Sequence, residues 1–493
     1  MTIHNSISPD SISPNHLQTV SRISSTDVPQ HPGATAMFVA VSFLFANALC
    51  SALCAASASE TTVRPDIVLI VADNLGHGDL SCYGCRDIQT PNIDRIAAEV
   101  VRFTNFYSNG PECSPTRTAL LTGRYQQRIP GLECALGTGN VGRYDDAIAL
   151  AERRELGLPP SENVLIPALN RAGYRTIGLG KWHLGYEKHL LPPHHGFDYF
   201  LASLGGTIDY FYHNEPTGEP VLYENLQQVR RDGYFTDLIT DSAVRFLREQ
   251  PKDEPLFLYL PYTAPSAPFQ HPDHKPERPK VSEQWDSKDW QKGDRDTLRL
   301  IIQRLDQCVG RLLRTLQETG RSDSALVIFC SDNGAYPIAA SNAPFRGYAS
   351  ELFEGGIHVA CMARRPGILP AGITDDRPTM TFDLTASILN AAAAEPRADR
   401  PLDGIDVLGQ IAAGTTPTPR NLYWRARRAN RTWRAVRENN WKYVSRTDGD
   451  GFEEFLFDLK EDPSESINLL SNEPQTAQRI KTALKTWEAD VRP

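Results

Sequence analysis

The stretch Asp66-Ile-Val-Leu-Ile-Val-Ala72, followed directly by Asp73 and Asn74, decides the fold class of this 493-residue chain. An unbroken apolar run of this length is typical of a strand that is buried on both faces, as in a parallel sheet. Further runs of the same kind lie at Tyr174–Leu179, Pro255–Tyr262 and Ala325–Ser331. We therefore predict that these segments are strands of one buried sheet.

Helical patterns alternate with the predicted strands. They cover Asn163–Ala172, Thr236–Glu249 and Asp296–Thr319. The third pattern is the clearest, because its apolar residues lie on one helical face and Gly320 follows as a stop signal. Alternation of strands and helices predicts an α/β fold, in which a large, mostly parallel sheet is flanked by helices.

The C-terminal part of the chain has a different pattern. Residues 394–420 contain several proline and glycine residues, and short strand-like pieces follow them. A hairpin signal lies at Asp448-Gly-Asp-Gly451, and a helical pattern covers Gln475–Val491. We predict a large catalytic domain at residues 64–394 and a smaller antiparallel-sheet subdomain of α+β type at residues 415–493.

Residues 1–59 are predicted to be a disordered leader and signal peptide rather than part of the fold. The apolar run Met37–Ala56 ends in Ala56-Ser57-Ala58, a small-x-small triplet that is typical of signal peptidase sites. The pattern predicts a secreted or periplasmic protein. A single N-terminal membrane anchor is the alternative, because the run is long for a signal core. Translation can start at Met1 or at Met37, since the residues before Met37 lack a signal peptide's positive charge.

The charge balance argues against nucleic acid as the main partner. The formal net charge is −9, and binding to phosphate backbones needs clustered lysine and arginine on a basic domain. One basic stretch does occur near the C-terminus, made of Arg425, Arg427, Arg428, Arg431, Arg434 and Arg437. Two interpretations stay open for it: a strand face with salt bridges, or a surface that binds a polyanionic glycan.

Polar residues follow directly after two of the predicted strands. Asp73 and Asn74 follow the first strand, and Asp332 and Asn333 follow Ala325–Ser331. Ligands of open α/β sheets bind outside the carboxyl ends of the strands, so these side chains are expected along one edge. Carboxylate and amide oxygens favour calcium, with magnesium possible, over zinc or copper. The alternative is that these residues only begin turns.

The stretch from Cys113-Ser-Pro-Thr-Arg117 to Gly123-Arg124 carries the strongest chemical signal. Pro115 suits the first turn of a helix, so Cys113 is expected just before a helix N-terminus, where backbone N–H groups favour an anion. Arg117 adds a fork of donors that suits a tetrahedral oxyanion. The alternative is a buried structural cysteine.

This stretch, Cys-x-Pro-x-Arg followed by Leu-Thr-Gly-Arg, resembles the signature of type I sulfatases, the formylglycine-dependent, arylsulfatase-like branch of the alkaline phosphatase superfamily. Other segments agree: Ala72–Gly76 and Ser331–Gly334 resemble the metal motifs, Gly180–Gly185 matches the Lys-Trp-His motif, and Phe353–Gly356 closes the Arg-Gly segment. The resemblance covers roughly residues 64 to 490. It implies the alkaline-phosphatase-like α/β fold with a C-terminal subdomain.

The resemblance also implies a mechanism. A separate maturation enzyme would oxidise Cys113 to formylglycine, whose hydrated aldehyde attacks the sulfur of an aryl or carbohydrate sulfate ester and later releases sulfate. Calcium would be bound by Asp73, Asn74, Asp332, Asn333 and the modified Cys113. Arg117 would orient the nucleophile, Lys181 would contact the sulfate, and His183 would accept a proton. The implied substrate-binding residues are Lys181, His183 and the residue at position 266.

Three positions depart from the family pattern. Asn74 stands where an aspartate is usual, so the metal site has one negative charge fewer. Ser266 replaces a histidine and Ala349 replaces a lysine, both on the leaving-group side of the sulfate. Losing one preorganised donor typically costs about 3 kcal/mol in the transition state. Possible substitutes nearby in sequence are His271, His274, Tyr348 and Glu351.

Three functions therefore stay open. The resemblance favours a sulfuric ester hydrolase acting on an aryl or carbohydrate sulfate. The replacements at Ser266 and Ala349 leave the alternative of a weakly active or non-catalytic protein that binds sulfated glycans. A phosphatase or phosphonate hydrolase of the same superfamily is the third, although those enzymes usually use serine or threonine where this chain has Cys113.

Overall fold

The structure is a computed structural model, and it describes residues 64–99, 101–137, 143–276 and 292–492. The predicted leader and signal peptide at residues 1–59 lie outside the described residues. No helix in these described ranges is both long enough and apolar enough to cross a membrane.

One large sheet dominates the described part of the chain. Ten strands form it: β1 (Ile67–Asp73), β2 (Val101–Phe103), β4 (Arg175–Lys181), β5 (Tyr199–Ser203), β6 (Leu222–Glu224), β7 (Gln227–Gln228), β8 (Leu256–Pro265), β9 (Leu326–Ser331), β10 (Cys361–Arg364) and β11 (Ile373–Asp375). Their order is β11-β2-β10-β9-β1-β8-β4-β5-β6-β7. A separate pair consists of β3 (Phe106–Tyr107) and β12 (Thr379–Met380).

The centre of this sheet is parallel. β1 pairs in parallel with β8 and β9, and β4 pairs in parallel with β8 and β5. The short strands β6, β7 and β10 pair antiparallel toward the edges. The sequence prediction of a large, mostly parallel sheet is confirmed. The short edge strands, which are too brief to show a hydrophobic period, were not predicted.

Both faces of β1 are buried, as its apolar run predicts. Ile67, Leu69 and Val71 belong to one apolar cluster, and the alternate residues Val68, Ile70 and Ala72 belong to a second cluster on the other face. Because successive side chains of a strand point to opposite faces, a continuous apolar run contributes residues to the apolar cluster on each face of the sheet.

Helices cover the two faces. The helices of the described residues are α1 (Pro91–Ala98), α2 (Cys113–Thr122), α3 (Asp145–Glu152), α4 (Leu165–Arg171), α5 (Phe235–Glu249), α6 (Arg295–Glu318), α7 (Glu354–Ile357), α8 (Thr381–Ala391), α9 (Val407–Ala412) and α10 (Pro474–Asp490), the last of which packs on the C-terminal sheet. The longest of these, α6, begins after Asp294, whose side chain accepts a hydrogen bond from the Thr297 N–H at 2.7 Å. It ends before Gly320, which has φ +70°.

The C-terminal sheet is antiparallel, as predicted. Its strands β13 (Asn421–Arg428), β14 (Arg431–Glu438), β15 (Trp441–Asp448) and β16 (Gly451–Asp458) pair in chain order, and α10 packs against β14 and β15. The proline- and glycine-rich region 394–420 is not wholly irregular, because it contains α9. Apolar residues of the C-terminal sheet share one buried cluster with α2 and α8.

Candidate active site

The carboxyl ends of the parallel strands bring the predicted residues to one edge of the sheet. Asp73 ends β1, Lys181 ends β4, Ser266 follows β8 and Asp332 follows β9. Gly180 allows β4 to pass close to β8, because a Cβ there would lie 2.0 Å from the Pro261 carbonyl oxygen. This convergence places Asp73 Oδ1 2.7 Å from Lys181 Nζ.

Cys113 lies at the centre of this edge. It is the first residue of α2, so it stands one position further into the helix than predicted. Its Sγ lies 3.1 Å from Asp73 Oδ1, 3.2 Å from Lys181 Nζ and 3.9 Å from Asn74 Oδ1. A carboxylate, a cation and an amide oxygen thus surround one small buried side chain.

Arg117 lies one helical turn after Cys113 and is completely buried. Its Nε and Nη2 donate to Asp332 Oδ2 at 3.1 and 2.8 Å, and its Nη1 donates to the Lys181 carbonyl at 3.2 Å. Nη2 also lies 3.4 Å from Asp73 Oδ1. The guanidinium therefore ties together the residues that end three strands or follow them.

The pKa values of the two buried carboxyl groups are shifted in opposite directions. Burial works to raise the pKa of Asp73, but the charges of Lys181 and Arg117 outweigh it and lower that pKa to about 2. Burial and the charge of Asp73 raise the pKa of Asp332 to about 6. A bound metal cation, in addition to Lys181 and Arg117, would relieve the repulsion between the two carboxylates.

The thiol and the imidazole of the site are both neutral near pH 7. Burial and the carboxylates of Asp332 and Asp73 raise the pKa of the Cys113 thiol well above its usual range. Burial and the charge of Lys181 lower the pKa of His183 well below its usual range. An unmodified Cys113 is therefore a poor nucleophile, because a thiol reacts as its thiolate.

His183 is held beside the start of α2. Ser114 Oγ donates to the His183 carbonyl at 2.8 Å, and the His183 backbone has φ +57°. Its Nε2 contacts the Leu136 carbonyl oxygen, an acceptor, so Nε2 carries the proton and Nδ1 has the free lone pair. Nδ1 is buried and has no hydrogen-bond partner among the described residues. An imidazole in this state can accept a proton at Nδ1.

The oxygen donors suit a hard cation. The ligand atoms of Asp73, Cys113 and Asp332 all lie within 4.8 Å of one another. Asn74 Oδ1 contacts the Asn333 side-chain amide, while the buried Asn333 Oδ1 has no partner among the described residues. An unpaired buried oxygen beside two carboxylates is an arrangement that calcium or magnesium would satisfy.

The structure shows what Ser266 and Ala349 contact. Ser266 Oγ accepts a hydrogen bond from Asn74 Nδ2 at 2.8 Å, which orients the Asn74 side chain. Ala349 is buried, and its backbone N–H donates to the Ala335 carbonyl at 3.1 Å. Ser266 is thus linked to the oxygen-donor set, a contact that the sequence did not predict.

The residues predicted to substitute for the missing histidine and lysine show no contact with the site in the described part of the chain. His271 and His274 stack on each other, with ring centroids 4.0 Å apart. Instead, Tyr336 lines a small cleft together with Asn74 and Ser266, and its ring is 41% exposed. Sequence reasoning missed Tyr336, because an isolated tyrosine after a strand carries no motif.

The basic stretch is mostly engaged in ion pairs. Arg425 and Arg427 both bind Glu133, Arg434 binds Glu488 and Arg431 binds Asp448. Arg437 donates to the Asn105 side chain at 3.1 Å and also contacts Tyr107. The salt-bridge interpretation therefore describes most of this stretch, while Arg428 pairs with Glu112 beside Cys113.

The chain belongs to the sulfatase family, a class of enzymes that hydrolyse sulfate esters. The family model for sulfatases matches residues 65–394. The chain is 31% identical to human N-acetylgalactosamine-6-sulfatase over 385 residues, which is 75% of this chain and 70% of that protein. It is 30% identical to human arylsulfatase A over 495 residues, covering 88% and 89% of the two chains.

Solved structures agree with this assignment. The crystal structure of Ps i-CgsB matches with a TM-score of 0.75 and 29% identity, covering 87% of this chain and 94% of that one. The same protein in complex with k-i-k-neocarrahexaose matches with a TM-score of 0.73 and 28% identity, with the same coverage. Family membership and the α/β fold with an antiparallel C-terminal sheet are therefore confirmed.

Proposed function

We propose that this sulfatase releases inorganic sulfate from an aryl or carbohydrate sulfate ester by means of a formylglycine made from Cys113 and a bound calcium ion. One observation carries the proposal: Cys113 Sγ lies within 3.2 Å of both Asp73 Oδ1 and Lys181 Nζ in a buried site. The neutral thiol is unsuited to attack sulfur, and conversion to an aldehyde would supply, on hydration, the oxygen nucleophile that the thiol cannot.

The protein's own residues would prepare and stabilise the reaction. Lys181 places a positive charge next to position 113, where negative charge develops on the sulfate oxygens. Arg117 holds both carboxylates and the Lys181 backbone, and so keeps the site rigid. The neutral His183 offers Nδ1 to accept a proton when sulfate leaves.

Calcium, or magnesium, would be held by Asp73, Asn74, Asp332 and Asn333. Bound there, the cation would offset the charge of the sulfate and lower the pKa of an oxygen ligand. The raised pKa of Asp332 and the unpaired Asn333 Oδ1 support a site that needs a cation. Asn74 supplies an amide oxygen, which still suits calcium.

Two of the similar proteins support a sulfated glycan as the carbohydrate substrate of this proposal. Human N-acetylgalactosamine-6-sulfatase, by its name, acts on a sulfated sugar, and the structure of Ps i-CgsB is of a complex with a neocarrahexaose. Tyr336 borders the small cleft beside Asn74, and its exposed side chain offers an aromatic surface against which an aryl or sugar ring would pack.

Export and maturation belong to the same proposal. The apolar run and small-x-small triplet at 37–58 support secretion or a periplasmic location. A formylglycine-generating enzyme would act on Cys113 before folding buries it, since the folded thiol is only 7% exposed. We further propose residues 64–394 as the catalytic domain and residues 415–493 as its C-terminal subdomain.

Co-expression with a formylglycine-generating enzyme tests the proposal. We expect mass spectrometry of the peptide Phe103–Arg117 to show an aldehyde in place of the Cys113 thiol. The purified protein should then release sulfate from aryl or glycan sulfates in a calcium-dependent manner. Replacing Cys113→Ala should abolish turnover, whereas the matched change Cys308→Ala, at a buried cysteine on α6, should leave it intact.

Two results would contradict the proposal. Sulfate release that survives Cys113→Ala would show that the nucleophile lies elsewhere. An aldehyde at position 113 with no release from any aryl or glycan sulfate would favour a protein that binds sulfated glycans without hydrolysis.

A further inference from the structure

Arg428 makes fewer contacts than Arg425 and Arg427, which precede it on β13. Arg425 binds Glu133 through both Nε and Nη2, and Arg427 binds Glu133 and Asp146. Arg428 donates only through Nη1, to Glu112 Oε1 at 2.6 Å, within the part of the chain that the structure describes. Its side chain is 40% exposed, and no hydrogen bond from its Nε or Nη2 occurs among the described residues.

Glu112 fixes Arg428 at the rim of the candidate active site. This glutamate directly precedes Cys113 and is only 5% exposed. Its Oε2 accepts from the Ala135 N–H at 2.6 Å, and its Oε1 accepts from Ser350 Oγ at 2.7 Å. A carboxylate held at both oxygens cannot move far, so it holds the guanidinium in place.

Ser350 and Tyr336 connect this position to the leaving-group side. Ser350 follows Ala349, the position where the family pattern has a lysine. Tyr336 Oη lies 3.3 Å from Ser350 Oγ, and Arg428 acts electrostatically on the tyrosine hydroxyl. The Tyr336 ring also borders the cleft that contains Asn74. Glu112 and Ser350 thus link Arg428 to Tyr336 at the cleft.

We propose that Arg428 binds a second acidic group of the substrate, a sulfate or carboxylate on the sugar next to the hydrolysed ester. Its Nε and Nη2 N–H groups form a planar fork that matches such an oxyanion. Tyr336 offers an exposed ring surface to the sugar between the two acidic groups. The inference rests on the proposed function, since it assumes that the ester sulfur lies at position 113.

The consequence is a substrate preference. The protein selects acidic oligosaccharides over sulfate esters with a single charge. The selectivity comes from a residue 316 positions away from Glu112 in sequence. It is therefore a property of the way in which the C-terminal sheet packs on the large one.

Kinetics of the mature enzyme test this preference. The probes are para-nitrophenyl sulfate and a disaccharide with a sulfate on each sugar. Arg428→Gln should reduce kcat/KM for the disaccharide about tenfold more than for the aryl sulfate, as expected of a half-exposed charge-assisted hydrogen bond. Arg428→Lys should reduce the ratio of the two kcat/KM values by an intermediate amount. Arg431 is an exposed arginine paired with Asp448, so Arg431→Gln should leave this ratio unchanged. An equal effect of Arg428→Gln on both probes would overturn the inference.

A binding measurement separates this inference from the proposed function. In the Cys113→Ala background, which needs no turnover, calorimetric titration with the disulfated disaccharide should give a Kd that rises about tenfold on adding Arg428→Gln. The Kd should also increase more steeply with salt concentration in the protein that has Arg428 than in the Arg428→Gln variant. This result would support the role of Arg428 even if hydrolysis were never observed. No binding, or equal binding with and without Arg428, would overturn it.

Discussion

Asn74 shows how one residue can keep a family geometry with a different charge. Its backbone has φ +55°, a conformation that asparagine and aspartate tolerate better than most residues. Its Nδ2 donates to Ser266 Oγ, which leaves Oδ1 toward Cys113 and Asn333. The two departures from the family pattern at 74 and 266 are thus in direct contact and act as a pair.

Replacing Asn74→Asp should strengthen calcium binding. The carboxylate restores one negative charge to the oxygen donors, and Ser266 can donate to it, so the geometry is retained. We expect the calcium Kd to fall on the order of tenfold, measured by calorimetric titration of the mature protein.

The matched control is Asn225→Asp. Asn225 also has a left-handed backbone, with φ +53°, and its Oδ1 accepts from the Phe200 N–H at 3.0 Å. It lies outside the oxygen-donor set, so its change should leave calcium affinity as it was. Equal affinity of the Asn74→Asp and parent proteins would show that Asn74 does not ligate the cation.

At the scale of elements, a buried ion cluster joins β15 to α7. Lys442 Nζ lies 2.7 Å from Glu354 Oε1 and 2.9 Å from Glu465 Oε1, and all three side chains are buried. Glu354 also accepts from Tyr107 Oη at 2.7 Å. Burial and the charge of Glu354, against the pull of Lys442, raise the pKa of Glu465 to about 7.

Replacing Lys442→Met should destabilise the protein strongly, because it leaves two buried carboxylates without their cation. We expect a loss of about 3–5 kcal/mol in the free energy of unfolding at pH 8, measured by denaturant titration. The loss should be smaller at pH 5. A carboxyl group with a raised pKa in the folded state destabilises that state only above its unfolded pKa. The destabilisation increases with pH up to the folded-state pKa, so it is small at pH 5 and full at pH 8.

Lys485→Met is the control for this prediction, since Lys485 is exposed on α10. We expect it to change stability by less than about 0.5 kcal/mol. If the Lys442→Met protein is as stable as this control at pH 8, the prediction is wrong. Apolar packing of the methionine would then stabilise the protein as well as the ion cluster does.

At the scale of the whole molecule, the large sheet and the C-terminal sheet share a core. Trp424 of β13 is fully buried, packs against Tyr107 with ring centroids 5.3 Å apart, and donates through Nε1 to the Ser108 carbonyl at 2.8 Å. The same apolar cluster contains Ala119 of α2, the helix that begins with Cys113. Stability of the C-terminal sheet and order at the candidate active site are therefore coupled.

Calcium should stabilise the whole chain as well as serve the reaction. A ligand that binds only the folded state adds about 2.7 kcal/mol when present at a hundred times its Kd. We expect the thermal unfolding midpoint to rise on adding calcium and to fall again with a chelator, measured by differential scanning calorimetry.

In Asp332→Asn, which removes a buried carboxylate of the donor set, the midpoint should no longer respond to calcium. An unchanged midpoint in the parent protein, with and without calcium, would argue against a cation at Asp73 and Asp332.

The features of this structure that depend on local patterns could be predicted from the sequence. The apolar run at 66–72 predicted a doubly buried strand because a strand's alternation turns a continuous run into two apolar faces. Pro115 predicted a helix that begins beside Cys113, because proline suits the first turn of a helix. The residues after β1 and β9 were predicted to converge because parallel strands end at the same edge.

Only the tertiary structure decided which residues far apart in sequence contact each other at the site. The contact of Ser266 with Asn74 spans 192 positions, and that of Arg428 with Glu112 spans 316. No local sequence pattern predicts such pairs, because the first depends on the pairing of β1 with β8 and the second on how the C-terminal sheet packs. The sequence by itself thus determined the long central strands, the helix of Cys113 and the polar side chains that follow β1 and β9, because these depend on local patterns. The packing of the C-terminal sheet decided that Arg428 pairs with Glu112 beside Cys113, because that contact joins residues far apart in sequence.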